Sequence, residues 1–104
     1  MAEPLILVVT LEVRRAAAAD FRQYEREAAA IMADYGGRIE RVIEVMDADS
    51  PEADTFREIH IVRFNDAPSF EAYRCDLRLV GLAPLREAAI AGTQILRGRE
   101  GGSY

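Results

Sequence analysis

The chain has 104 residues, half of them apolar and 30% charged, the composition of one small globular domain rather than of a disordered chain. Its formal charge is −5, and Arg is interleaved with Glu and Asp (Arg22, Glu25, Arg26, Glu27; Arg38, Glu40, Arg41, Glu44), which excludes the clustered basic surface that nucleic acid requires. A single cysteine, Cys75, excludes an intrachain disulfide and fits a reducing, cytoplasmic home.

Leu5 to Val13 sets Leu5, Leu7, Val9, Leu11 and Val13 against Ile6, Val8, Thr10 and Glu12. That alternation, rich in β-branched residues, predicts a strand, and its two apolar faces place it centrally in a sheet. The run is too short to span a bilayer, and it follows Glu3 and Pro4 rather than the basic stretch of a secretion signal, so no membrane association is expected. Residues 16–35 carry Ala17, Phe21, Tyr24, Ala28, Ile31 and Tyr35 at steps of three and four, one apolar helical stripe. Gly36-Gly37 ends that helix, and one of the two should adopt a positive φ.

Arg38 to Met46 alternates again, with Ile39, Ile43 and Val45 against Glu40, Val42, Glu44 and Met46. Asp47 to Thr55 contains Pro51 and no apolar period, which predicts a surface loop. Phe56 to Phe64 is a third strand, with Glu58 and His60 on the face of Phe56, Val62 and Phe64. Asn65-Asp66-Ala67-Pro68 signals a helix start, and Phe70 and Tyr73 face the core from that helix. Asp76 caps a second helical piece carrying Leu79, Leu82, Leu85, Arg86 and Ile90, broken or kinked at Gly81 and Pro84. Gly92 ends this helix and Thr93–Leu96 is expected to form a short last strand, leaving 99–104 as a Gly-rich flexible tail behind a single domain of residues 1–98.

The order β-α-β-β-α-β predicts an α+β fold of the ferredoxin-like kind: a four-stranded antiparallel sheet, first and third strands central, with both helices on one face. The other face is then bare and still apolar, and a second copy of the chain is its simplest cover. Tyr24-Glu25, the turn Tyr35-Gly36-Gly37-Arg38, Phe64, the run Phe70-Glu71-Ala72-Tyr73, Asp76 and Leu85-Arg86 together resemble the dimeric α+β barrel superfamily. Within it the chain looks most similar to a group of uncharacterised bacterial domains, with weaker likeness to YciI-like proteins and to antibiotic-biosynthesis monooxygenases. The resemblance implies a homodimer packed sheet against sheet. Leu77 follows Asp76 where YciI-like proteins have proline, no His lies in the first half, and there is no Trp; no catalytic residue is therefore carried over.

The candidate ligand-binding residues are Glu58, His60, Tyr73, Asp76 and Arg86. His60, the only histidine, can act as a general base or ligand contact if its face lines the barrel, with Glu58 two residues earlier on the same face. Asp76 reads first as a helix cap, Tyr73 as a core-filling phenol, Arg86 as a clamp for an anion or an ion-pair partner, and Cys75 as a buried, inert thiol. One His and one Cys do not make a transition-metal site, and no cofactor is expected. Two functions follow. One is a non-catalytic small-ligand-binding or structural dimer. The alternative is a cofactor-independent enzyme, monooxygenase- or isomerase-like, acting on a small hydrophobic or carboxylated metabolite in the barrel. A polar cluster converging in a closed pocket would favour the enzyme; a barrel filled by side chains would favour the structural dimer.

Overall fold

Ten residues of alternating apolar side chains, Leu5–Arg14, form strand β1, and every other element is placed relative to it. The computed structural model describes residues 3–46 and 53–104; most of the loop expected over 47–55 lies outside the described residues. A 3₁₀ turn, Arg15–Ala17, leads into helix α1, Ala18–Ala33. The chain continues through β2 (Arg38–Glu44), β3 (Thr55–Phe64), α2 (Ala67–Arg74), α3 (Leu77–Val80), α4 (Ala83–Ala89) and β4 (Ile90–Gly98). The sheet order is β2-β3-β1-β4, every pairing antiparallel, so β1 and β3 are central and the fold is the expected α+β ferredoxin-like arrangement.

The period-two pattern decides which side chains meet the helices. Leu7, Leu11 and Val13 of β1 and Val62 and Phe64 of β3 are buried, because the register pairs Leu7 with Val62 and Val13 with Phe56 on one face. One end of this face packs Leu7, Val62 and Phe64 against Ile31 and Met32 of α1 and Phe70 and Tyr73 of α2. The other packs Leu11 and Val13 against Phe21, Ala89 and Ile90. On the opposite face Val8 pairs with Ile61 and Leu96, Thr10 with Ile59, and Ile43 with Ile59. No described helix covers these groups.

Three local expectations are corrected. The register of β2 shifts between Ile39 and Arg41, a bulge that adds one residue and reverses the alternation. Ile39 therefore pairs with Val62 on the helix face and Ile43 with Ile59 on the bare one, so Ile39 and Ile43 do not share a face. The last strand starts at Ile90, not Thr93, because Ile90 pairs with Val13 and is buried against the α1–α4 end of the core. Cys75 is exposed, since α2 ends at Arg74 and the chain turns outward before Asp76. The helix starts hold: Asp66 Oδ1 accepts the Ser69 N–H at 2.7 Å, and Asp76 Oδ1 accepts the Arg78 N–H at 2.8 Å. No described helix is long and apolar enough to cross a membrane.

The exit from α1 is a Schellman turn. Gly37 N–H donates to the Met32 carbonyl at 3.0 Å and Gly36 N–H to that of Ala33 at 3.1 Å, with Gly36 at φ 72°. Alanine at Gly36 is expected to cost about 1 kcal/mol for the left-handed backbone; its Cβ would also lie 2.8 Å from Asn65 Nδ2, an amide that can swing aside. Alanine at Gly37 would place Cβ 2.5 Å from the Phe64 ring and 2.6 Å from Met32 Cγ. Both neighbours are buried, so Gly37→Ala should cost more than Gly36→Ala, about 1–3 kcal/mol of overpacking. Urea midpoints of the two variants check the ranking, and a Gly37→Ala protein as stable as wild type would refute it.

Candidate functional site

Between the inner sheet face and the helices lies a cavity of about 340 Å³. Its walls are mainly apolar, among them Leu7, Val62, Phe70 and Ile95, and its polar groups are Tyr24, Glu25, His60, Tyr73, Arg74, Arg86 and Thr93. The short helices α3 and α4, separated at Gly81-Leu82, contribute Leu79, Val80, Ala83 and Arg86 to its lining. Such a mostly apolar pocket with a few placed polar groups is the usual form of a small-molecule site.

His60 is 3% exposed and stands on β3 opposite Val9, on the face turned to the helices rather than the face turned outward. Its Nε2 lies 2.7 Å from Glu58 Oε1. A carboxylate only accepts, so the neutral tautomer that keeps this bond has the hydrogen on Nε2 and the lone pair on Nδ1. Nδ1 in turn lies 3.6 Å from Glu25 Oε2. An imidazole held by one carboxylate and facing another is an acid–base arrangement. Glu58 is 4% exposed and its second oxygen, Oε2, is buried without a hydrogen-bond partner among the described residues.

The surroundings shift the neighbouring groups in definite directions. Burial raises the proton affinity of the Glu25 carboxyl, against the opposing pull of His60. Burial likewise pushes the Tyr24 phenol up, with the Arg86 guanidinium acting the other way. Burial holds Tyr73 well above the ordinary phenol range, so it stays neutral; its hydroxyl donates to the Ala28 carbonyl at 3.4 Å. Arg86 is half-buried, and its Nη2 donates to Thr93 Oγ1 at 3.1 Å.

Of the residues singled out in the sequence, the fold brings His60, Tyr73 and Arg86 to one cavity, with Glu58 directly behind His60. Asp76 is elsewhere. Besides capping α3, it accepts the Tyr35 hydroxyl at 2.6 Å and the Arg78 guanidinium at 3.0–3.1 Å, and these bonds hold its carboxyl well below the usual range. Arg78 also reaches Asp34 at 2.9 Å, so this cluster ties the end of α1 to α3. The sequence reading missed Glu25. Phe21, Glu25, Ala28 and Met32 recur at steps of four, three and four, the same spacing as the apolar stripe, and a carboxylate on that line was the available signal.

No protein-family model matches the sequence, and no curated protein matches it significantly. Solved structures do match in shape. A protein of unknown function from Rhodopseudomonas palustris superposes with a TM-score of 0.80 at 13% identity, covering 99% of this chain and 86% of its own. A candidate antibiotic biosynthesis monooxygenase from Caulobacter crescentus gives 0.74 at 15% identity, covering 97% and 92%. SnoaB, a cofactor-independent oxygenase from Streptomyces nogalater, gives 0.65 at 17% identity, covering 96% and 97%. The subunit shares the α+β ferredoxin-like fold of these structures. At these identities the likeness extends to the fold and not to the chemistry. The cavity with His60 lies inside the subunit, between sheet and helices, which settles the face of β3 that the alternation alone left open.

Proposed function

We propose that the protein is a cofactor-independent enzyme whose subunit cavity takes a small, mainly hydrophobic metabolite bearing one acidic oxygen, a phenol, enol or carboxylic acid. The observation that carries this reading is the buried Glu58–His60 pair at the cavity, with Nε2 fixed at 2.7 Å from its carboxylate and Nδ1 left to take a proton. The apolar walls bind the body of the ligand. Arg86 and the Tyr24 hydroxyl hold the oxygen that becomes negative, since a half-buried guanidinium favours an anion. Glu58 keeps the ring oriented and offsets its charge once His60 is protonated. Removing a proton from a phenol or enol leaves an electron-rich carbon, the starting point for isomerisation or for reaction with dioxygen. The description of SnoaB as a cofactor-independent oxygenase supports chemistry of this cofactor-free type.

The reading also has the protein work as a homodimer through the bare sheet face, in the reducing setting that its exposed free thiol suits. Ile6, Val8, Ile59 and Ile61 are only half covered in the subunit, and Leu96 beside them is 51% exposed. A monomer rarely leaves such a patch to water.

2-Naphthol tests the acid–base reading, because the phenol and its anion absorb differently. Adding the protein at neutral pH is expected to raise the naphtholate band, and His60→Gln is expected to abolish the rise while 2-naphthol still binds. A bound naphthol whose spectrum does not change would favour the second reading, a non-catalytic binding dimer.

A further inference from the structure

A second cleft of about 260 Å³, sharing Glu25, Ile39 and His60 with the main cavity, is lined by α1, β2 and β3. Glu58 and His60 form its floor, and Phe21, Val42, Arg22 and Arg26 its walls and rim. β2 is the edge strand of the sheet, and Val42, which pairs with His60, is 54% exposed. Glu25 and His60 line both spaces. Glu25 and His60 therefore stand between the apolar cavity and the cleft.

We propose that Glu25 is the proton carrier between His60 and water, and that the α1–β2 cleft is the route the proton takes, separate from the route of the ligand. This rests on the acid–base reading of the cavity. In the proposed sequence the ligand O–H bond breaks, its electron pair stays on the oxygen, and the proton binds the Nδ1 lone pair of His60. The Nδ1–H bond then breaks as the proton passes to a Glu25 oxygen. The 3.6 Å gap between Nδ1 and Oε2 closes to hydrogen-bond length by a small rotation of a side chain that is 21% exposed. That transfer restores the Nδ1 lone pair; Glu25 then releases the proton to water in the cleft and is a carboxylate again, and no electrons are transferred.

The charges around the carrier suit this role. Glu58 from β3 stabilises the imidazolium from behind, while Glu44 lies beyond it on β2, paired with Glu58 across the strands. Arg86 from α4 acts on Glu25 from the cavity side. Arg22 and Arg26 of α1 line the cleft, and His60 and Arg86 favour the ionised form of Glu25 and hence release of the proton. Burial opposes them by raising the proton affinity of Glu25. The carrier sits between an environment that loads it and one that unloads it.

Because the chain has one histidine, the carbon-bound ring protons of His60 give one pair of NMR signals. Their line widths near the titration midpoint report how fast the ring gains and loses its proton, with no ligand present. Glu25→Gln is expected to slow that exchange by about tenfold or more, as is Val42→Trp, which fills the cleft. Leu79→Trp, which fills the main cavity, should leave the rate unchanged. Should Val42→Trp not fold, Val42→Phe replaces it. Exchange untouched by both Glu25→Gln and closure of the cleft, or slowed by Leu79→Trp instead, would overturn the proposal. Neither result depends on 2-naphthol, so the route and the acid–base reading can fail separately.

Discussion

Phe64→Ala is expected to destabilise the protein by about 3–5 kcal/mol, at the upper end of core truncations. Phe64 is 0% exposed and ends β3 where the sheet, α1 and α2 converge. Its ring centroid lies 5.3 Å from that of Phe70 and 5.6 Å from that of Tyr73, tilted contacts that add to area burial. The space it leaves cannot collapse easily. Gly37 packs on it from the α1 exit, Leu7 and Met32 flank it, and all three are held by backbone hydrogen bonds of their own elements. The void would also merge with the ligand cavity, whose wall Phe64 forms. A urea denaturation midpoint far below wild type, with an unchanged slope, is the expected readout; a loss under about 1 kcal/mol would mean that the surrounding core closes over the gap.

The second large effect is expected at Val8. It lies at the centre of the bare sheet face, between Ile61 of β3 and Leu96 of β4. If two subunits bury about 800 Å² each there, Val8→Asp puts a carboxylate into the middle of the interface from both sides. Neither charge has a basic partner among its direct strand neighbours, and a buried, unpaired charge costs several kcal/mol. Sedimentation at tens of micromolar should show wild type at twice 11.6 kDa and the variant at the subunit mass with its helical circular dichroism intact. The companion Leu7→Asp points the other way, into a site 2% exposed, and should unfold the subunit instead. A wild-type protein that sediments as a monomer, or a Val8→Asp dimer, would refute the assignment of this face.

The contrast between Val8 and Leu7 shows how much of the fold was legible in the sequence. Where one face of an element is buried, the apolar period records it: β1, β3 and α1 were readable because Leu7, Phe64 and Phe21 recur in phase with neighbours that share their burial. The period alone could not say which face of β1 the helices take, since both are apolar. That choice depends on crossover geometry, not on any one strand. The bulge in β2 was invisible because the extra residue is Glu40, an exposed side chain among several charged ones, so nothing in the run marks the point where the alternation reverses. The early start of β4 was hidden by helix-favouring residues. Ala88, Ala89 and Ala91 suit a helix by propensity, and pairing of Ile90 with Val13 overrides it. At the site, Glu58 and His60 were legible together because a strand puts residues two apart on one face. Their meeting with Glu25 joins positions far apart in sequence, which no local pattern encodes.

The central position of β1 bears on how the molecule is made. Neither of its neighbours follows it directly: β3 begins at Thr55 and β4 at Ile90. A ribosome therefore delivers a two-faced apolar strand long before either edge of that strand has a backbone to bond with. Loop-closure entropy must be met before these distant pairings return any stability, which places the chain among the slower mixed α/β folders. Until β4 docks, β1 has an open edge of unpaired N–H and C=O groups beside Ile6 and Val8, a template that another nascent chain can join. The same strand that organises the native sheet is thus the segment most in need of a chaperone while the chain is incomplete.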